Sequence, residues 1–390
     1  MAPTVSSSIR RSTARSLASY LKSSQSSRRH VPPTAHCSNS PAIAATDPNH
    51  TARLWRSVMS YSGTAPWTSS SASVFTTSVL EPHGITIEEF GANQNLGSHF
   101  NIEHLPVDPS ARLDHYKSQF PSRVWVQPDM ECVRTEYDAM YRYRMNEAEH
   151  RAYALYALFL DEPRYPGLLE GAGDLKWLPS RMIKLEKKPD KRHWQSPPPV
   201  TPPSKSFDWD VCPDCAYHVS LQAFSPAFRR TIKHHVASAQ ERAVCPYFTI
   251  EFKKDGEGEQ TAMHHLAVAS SIALYNRFCL KAVTRQLGGK KWSADDREQM
   301  RHYALTFCGS LWDLYCMVPK TFGFWTGCTM QFISVGDCYF HQDVEKQVGV
   351  INDVHYWGLA VHGQSCEQDI VDKICSFSGA DMSGIMLMKE

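Results

Sequence analysis

The 390-residue chain contains no run of about eighteen apolar residues, the length a helix needs to cross a bilayer. No membrane-spanning helix is therefore expected. Its most apolar stretch, Ala152–Leu160, is too short and suits a core helix. There is no P-loop, no dinucleotide-binding glycine fingerprint and no G-x-S-x-G elbow. There is no secretory signal and no internal repeat. Net charge is also scarce, at +1. That argues against a nucleic-acid-binding coat over the whole surface, while leaving room for a local basic groove.

Acidic residues are missing from the start of the chain. Arg10, Arg11, Arg15, Lys22, Arg28 and Arg29 all precede the first carboxylate, Asp47. Ile9, Leu17 and Leu21 share one face of a helix there, a pattern that fits a mitochondrial transit peptide. A basic tail of a nuclear protein has the same composition. Residues 1–73 are rich in Ser, Thr, Ala and Pro and are expected to be disordered. One folded domain is expected over 74–390. The twelve cysteines follow no short-scaffold spacing. Free buried thiols in a reducing, intracellular setting follow from that, and the basic tail leaves nucleus and mitochondrial matrix both open.

Order is expected from Val74 to Ile87, an apolar segment closed by a glycine turn. One long helix is expected over Tyr137–Leu160, ended by Pro163 and Pro166. A strand follows near Arg181–Leu185. The proline-rich stretch Lys187–Lys205 reads as a loop. Beyond Asp208 the chain predicts a turn and strand over Cys212–Leu221, then a basic helix holding Arg229, Arg230, Lys233, His234 and His235. A strand over Cys245–Lys254, a turn over Asp255–Glu259 and a helix over Ala262–Lys281 come next. A helix over Asp295–Trp312, strands over Phe324–Val335 and Val348–Val361 and a short helix over Gln364–Ser376 complete a mixed α/β pattern.

The segment YFTIEFK, Tyr247–Lys253, carries the chemistry. Alternation along a strand puts Phe248, Ile250 and Phe252 on one apolar face. Tyr247, Thr249, Glu251 and Lys253 fall on the other, with a carboxylate beside an ammonium at an accessible strand end. Pro213-Asp214 introduces a neighbouring strand, so a second carboxylate can stand beside Glu251. Two carboxylates and the backbone carbonyl of Phe252 suit Mg²⁺, a hard cation that keeps several waters. Such an ion activates water and neutralises phosphate charge, and a lysine two residues on stabilises charge that develops.

Pro213-Asp214, Glu251-Phe252-Lys253 and the helix that follows resemble the PD-(D/E)XK nuclease superfamily. The segment Cys245–Lys281 is particularly similar to a group of fungal proteins described as nuclease-like. The resemblance implies a restriction-endonuclease-like core, a central mixed sheet flanked by helices. It implies Mg²⁺ or Mn²⁺ as cofactor and DNA or RNA as substrate. By it, Asp214 and Glu251 are metal ligands together with the Phe252 carbonyl, and Lys253 is the catalytic lysine. A glutamine common on the following helix has no clear counterpart, Gln260 and the pair His264-His265 being the choices. Glu147 and Glu149 are candidates for a further glutamate from an early helix.

Two other readings stay open. The same scaffold serves as a catalytically inactive interaction or nucleic-acid-binding module. Alternatively, Cys212 and Cys215 hold structural zinc with Cys245 and either His218 or His264, although no second CxxC supports it. The sequence leaves the oligomeric state open.

Overall fold

The computed structural model describes residues 73–88, 99–100, 102–162, 179–183, 194–224, 226–240, 242–253 and 258–378. Most of the tail, Pro163, Pro166, Lys187 and Asp255 lie outside them. The chain enters through a π-helical turn (Thr76–Leu80) and a 3-10 turn (Glu81–His83) that ends on Gly84, followed by β1 (Ile85–Glu88). The expected glycine turn is thus Gly84, at φ +68°. A Cβ there would stand 2.5 Å from the Thr326 carbonyl oxygen, a backbone atom with little freedom to retreat. Gly84→Ala is expected to destabilise the protein by about 1–3 kcal/mol, read as a lower urea midpoint with an unchanged slope.

Three helices follow: α1 (Pro109–Gln119), α2 (Met130–Arg142) and α3 (Glu147–Ala157). The single helix expected over Tyr137–Leu160 is instead two. Arg144 adopts φ +53° between them, and Asn146 restarts the helix with a reciprocal capping box to Glu149. Next come β2 (Pro179–Ile183), β3 (Cys215–Ser220), α4 (Pro226–His235), the two-residue β4 (Ser238–Ala239) and β5 (Ala243–Lys253). The long α5 (Glu259–Leu287) and short α6 (Ala294–Gln299) lead to β6 (His302–Cys308), β7 (Leu311–Pro319) and β8 (Cys328–Asp337). The chain closes through α7 (His341–Trp357), a π-helical turn (Gly358–Gly363) and α8 (Gln364–Ser378).

Two expectations are corrected. The helix foreseen over Asp295–Trp312 stops at Gln299, and His302–Cys308 and Leu311–Pro319 form a hairpin around Gly309, at φ +63°. The strand foreseen over Val348–Val361 is helical, because Val344, Val348, Ile351 and Val354 recur at helical spacing and are all buried.

The eight strands make one mixed sheet in the order β1-β8-β7-β6-β5-β3-β2, with β4 paired to β5. Parallel pairing occurs at β5–β6 and β1–β8. The first of these needs a crossover, which α5 and α6 supply. Helices cover both faces. Tyr303, Leu305 and Phe307 of β6 join one apolar cluster with side chains of α2, α3 and α7, while Ala304 joins another with Leu266, Ile272 and Phe278 of α5. By length and composition α5 could span a bilayer, but most of it is buried inside the protein, where it packs on β5, β6 and β7. The fold is therefore α/β with β5 in the interior of the sheet, between β6 and β3.

Candidate active site

Antiparallel pairing sets Cys215 of β3 opposite Ile250 of β5. Continuing that register by one residue brings Asp214 opposite Glu251. The Asp214 carboxylate accepts the backbone N–H of Phe252 at 3.0 Å on Oδ2 and Arg151 Nη1 at 3.0 Å on Oδ1. Glu251 Oε1 accepts from Lys253 Nζ at 2.8 Å and lies 3.2 Å from His265 Nδ1. The same Lys253 ammonium donates to the Phe252 carbonyl at 2.8 Å. Asp214, Glu251, Phe252 and Lys253 therefore form one connected cluster at the carboxyl end of β5.

Helices from both faces of the sheet complete it. Glu147 and Arg151 sit one turn apart on α3, so both project to the same side. Arg151 reaches Asp214, and the charge of Glu147 acts on Lys253. Glu149 is an exposed cap, which leaves Glu147 as the early-helix glutamate near the site. On α5 the paired histidines point apart, as adjacent helical residues must. His264 stacks on Phe75 at 4.7 Å, and His265 turns to Glu251. Gln260 is exposed, and among the described residues it makes no hydrogen bond to the cluster. Arg151 is the addition that sequence reasoning missed, and of Gln260, His264 and His265, the choices for the glutamine place on the helix, His265 is the one bonded to Glu251. The spacing of Glu147 and Arg151 at i and i+4 is the signal for Arg151.

The expected facing holds for Phe248, Ile250 and Phe252, which enter the cluster beneath α2, α3 and α7, and for Glu251 with Lys253. It fails in two respects. Tyr247 hydrogen-bonds His355 on α7 at 2.9 Å and packs with the apolar set, because Tyr217 pairs with Phe248 and His218 with Pro246, a register shift that leaves Tyr247 unopposed and breaks the alternation. Glu251 is also not on an open strand end: it is only 4% exposed, roofed by His265, on an interior strand.

Burial pushes the Glu251 carboxyl up, but the His265 hydrogen bond and the Lys253 charge outweigh it and hold the group below the usual carboxylate range. Burial pulls Lys253 down, yet Glu251, then Asp214 and Glu147, hold it above its ordinary value. Lys253 is therefore a fixed cation at neutral pH.

Compared with protein-family models, curated proteins and solved structures, the chain matches none. Its site has to be judged by its own chemistry.

The oxygens of Asp214, Glu251 and the Phe252 carbonyl are all hard donors of the kind Mg²⁺ or Mn²⁺ takes. Glu251 Oε1 and the Phe252 carbonyl already converge on one cation, the Lys253 ammonium. The residues fit a divalent ion. Among the described residues no three His, Cys, Asp or Glu side chains form a chelating group, so a backbone carbonyl and water would complete the shell. The zinc constellation does not assemble. Cys212 is exposed, and Cys215 is buried with its thiol pushed up to about 12 by burial. Cys245 lies roughly 16 Å along β5 from the residue facing Cys215, at about 3.3 Å per residue. The basic helix α4 packs on α8, and Arg229 there donates to the backbone carbonyls of Phe224 and Gln222.

Proposed function

We propose that the chain is a Mg²⁺- or Mn²⁺-dependent nuclease of the PD-(D/E)XK kind, hydrolysing phosphodiester bonds of DNA or RNA on a restriction-endonuclease-like core. One observation carries this reading: Asp214 and Lys253 are both hydrogen-bonded to the residue between Glu251 and Lys253, at the end of an interior strand. Asp214, Glu251 and the Phe252 carbonyl would hold the ion. The chemistry such a cation supplies is activation of water and neutralisation of phosphate charge. Arg151 fixes the orientation of the Asp214 carboxylate. His265 orients Glu251 and, being half exposed, stands where solvent and substrate enter. Lys253 keeps its proton, so it acts through charge: it stabilises the negative oxygen that develops as the phosphodiester breaks.

A second reading rests on the same cluster. Each carboxylate already has its own cation, Arg151 for Asp214 and Lys253 for Glu251. Such self-neutralised pairs suit a scaffold that has kept the core for binding without catalysis. Incubating the purified chain with single- and double-stranded DNA and RNA, in Mg²⁺ or Mn²⁺, separates the two. Cleavage that a chelator stops, and that a folded Glu251→Ala protein lacks, is the expected result. A folded protein that cuts none of these substrates, and whose calorimetric metal binding ignores Asp214→Asn, belongs to the second reading.

A further inference from the structure

Cys245 sits where the backbone resists most side chains, at φ +47°. His218 faces Pro246 and Val219 faces Val244, so Cys245 is the unopposed residue of a β-bulge. Bulges re-aim side chains, and this one turns Cys245 onto Cys366 of α8, to which its thiol is hydrogen-bonded. His362 Nε2 lies 3.3 Å from Cys366 Sγ and 3.1 Å from the Cys245 carbonyl oxygen. A carbonyl only accepts, so Nε2 carries the proton and directs it between the two cysteines.

Beside the thiols lies a charge cluster. Arg277 Nη1 is 2.6 Å from Asp369 Oδ2. Lys281 Nζ is 3.1 Å from Asp369 Oδ1 and 3.3 Å from Asp296 Oδ1, and Arg285 also pairs with Asp296. Arg285 is the most exposed member and also feels Asp372, so Arg277 and Lys281 are the cations held inside. Arg277 Nε has no hydrogen-bond partner among the described residues. Arg277 Nη2 donates to the hydroxyl of Ser365, the residue before Cys366, at 2.6 Å, which brings its positive charge to that thiol. Burial pushes the Cys366 thiol up, but the Cys245 hydrogen bond, Arg277 and His362 hold it well below its ordinary value; that same hydrogen bond, followed by burial, holds Cys245 well above. A cavity of about 300 Å³ reaches Cys245 and Arg277, with Trp194, His235, Asn276 and Lys373 also in its wall; Cys366 lies fully buried behind them. The cavity is large enough for several water-sized molecules.

We propose that Cys245 and Cys366 form a redox dithiol site that takes small hydroperoxides through this cavity, with Cys366 as the attacking sulfur and Cys245 as the resolving one. In the first step the Cys366 thiolate attacks one oxygen of hydrogen peroxide. An S–O bond forms, the O–O bond breaks and hydroxide leaves; sulfur is oxidised by two electrons and the peroxide reduced. Cys245 then attacks the sulfenic sulfur of Cys366. An S–S bond forms, the S–O bond breaks, and the departing oxygen leaves as water with the Cys245 proton. The disulfide ties β5 to α8. It lies at the opposite end of β5 from Lys253, roughly 25 Å away at about 3.3 Å per residue, so it does not depend on the nuclease reading.

The test uses the full-length, fully reduced protein exposed to hydrogen peroxide at neutral pH. Remaining thiols are then alkylated under denaturing conditions and the peptides weighed by mass spectrometry. A Cys245–Cys366 cross-linked peptide is expected to form about tenfold or more faster than Cys316 and Cys328 oxidise, since burial outweighs Arg301 and Lys320 and keeps those two thiols protonated. In Cys245→Ser a dimedone adduct should collect on Cys366, and in Cys366→Ser the Cys245 thiol should stay reduced. Oxidation of Cys366 no faster than that of Cys316 and Cys328 overturns the proposal, as does oxidation confined to the exposed Cys132 and Cys212. The wild-type rates decide the matter even where a variant fails to fold.

Discussion

Lys253→Met is expected to lower metal-dependent cleavage by about 10²–10⁴-fold while the protein stays folded. Methionine preserves most of the apolar stem and removes only the charge that touches Glu251 and the Phe252 carbonyl. The variant should also lose stability, because Glu251 remains buried with only the half-exposed His265 for company. A fully buried pair broken on one side costs about 3–5 kcal/mol. Lys253 keeps partial contact with solvent, so about 2 kcal/mol is expected here. In the wild type the depressed Glu251 pKa adds stability at neutral pH that fades as pH falls through that pKa. In the variant the carboxyl titrates higher, and the stability gap to wild type should therefore narrow on acidification. Urea midpoints at pH 7 and pH 5 measure the gap, and cleavage assays measure the chemistry. Undiminished cleavage by folded Lys253→Met would remove Lys253 from the mechanism.

The interior strand β5 was legible because its pattern is local. Phe248, Ile250 and Phe252 alternate with Thr249 and Glu251, and Pro213-Asp214 marks the start of an antiparallel neighbour whose register follows from pairing. The strands β6 and β7 were not legible as such. His302–Cys308 is buried on both faces, so it shows no alternation, and a buried strand of that kind cannot be told from a helix by period alone. The capping box Ser293–Asp296 starts a helix there, but only a short one. At α7 the β-branched residues suggested a strand, and their spacing of three and four outweighed propensity once the sheet offered a face to cover.

Within the candidate site, the same division holds. Asp214, Glu251 and Lys253 were readable since two adjacent strands bring them together. Arg151 and His265 come from helices on opposite faces of the sheet, and only the packing of α3 and α5 against β5 determines that they meet. The Cys245–Cys366 contact is less legible still. It depends on a one-residue bulge and on a helix at the far end of the chain, and neither leaves a local trace in the sequence.

Acid should unfold this protein along a slope set by its buried core. His302 is buried between Thr249 Oγ1, 2.8 Å from its Nε2, and the Pro246 carbonyl, 3.3 Å from its Nδ1. His355 is buried among Tyr217, Tyr247 and Phe248, and its Nε2 has no partner among the described residues. Burial lowers both rings to about 3, so the folded protein keeps them neutral while the unfolded chain binds a proton to each below about 6.5. Stability therefore falls as pH drops from 6.5 toward 3, by about 1.4 kcal/mol per pH unit for each histidine. Asp353 has the opposite sign. Burial raises it to about 6, against the pull of Arg112 and the Tyr116 hydrogen bond, so its protonated form favours the fold below the usual carboxylate range and that gain is lost as pH rises through 6. Between pH 6 and pH 4 it offsets one histidine, so these three groups together contribute a net slope of about 1.4 kcal/mol per pH unit; His99, lowered to about 4 by burial and Arg301, adds to it with the same sign. Asp353→Asn removes the offset while leaving an acceptor for the Tyr116 hydroxyl. Its slope between pH 6 and pH 4 should be steeper than that of the wild type by about 1.4 kcal/mol per pH unit, in a pH series of urea titrations. A variant slope equal to that of the wild type would mean that Asp353 is ionised in the fold at pH 5, and that Arg112 rather than burial sets its charge.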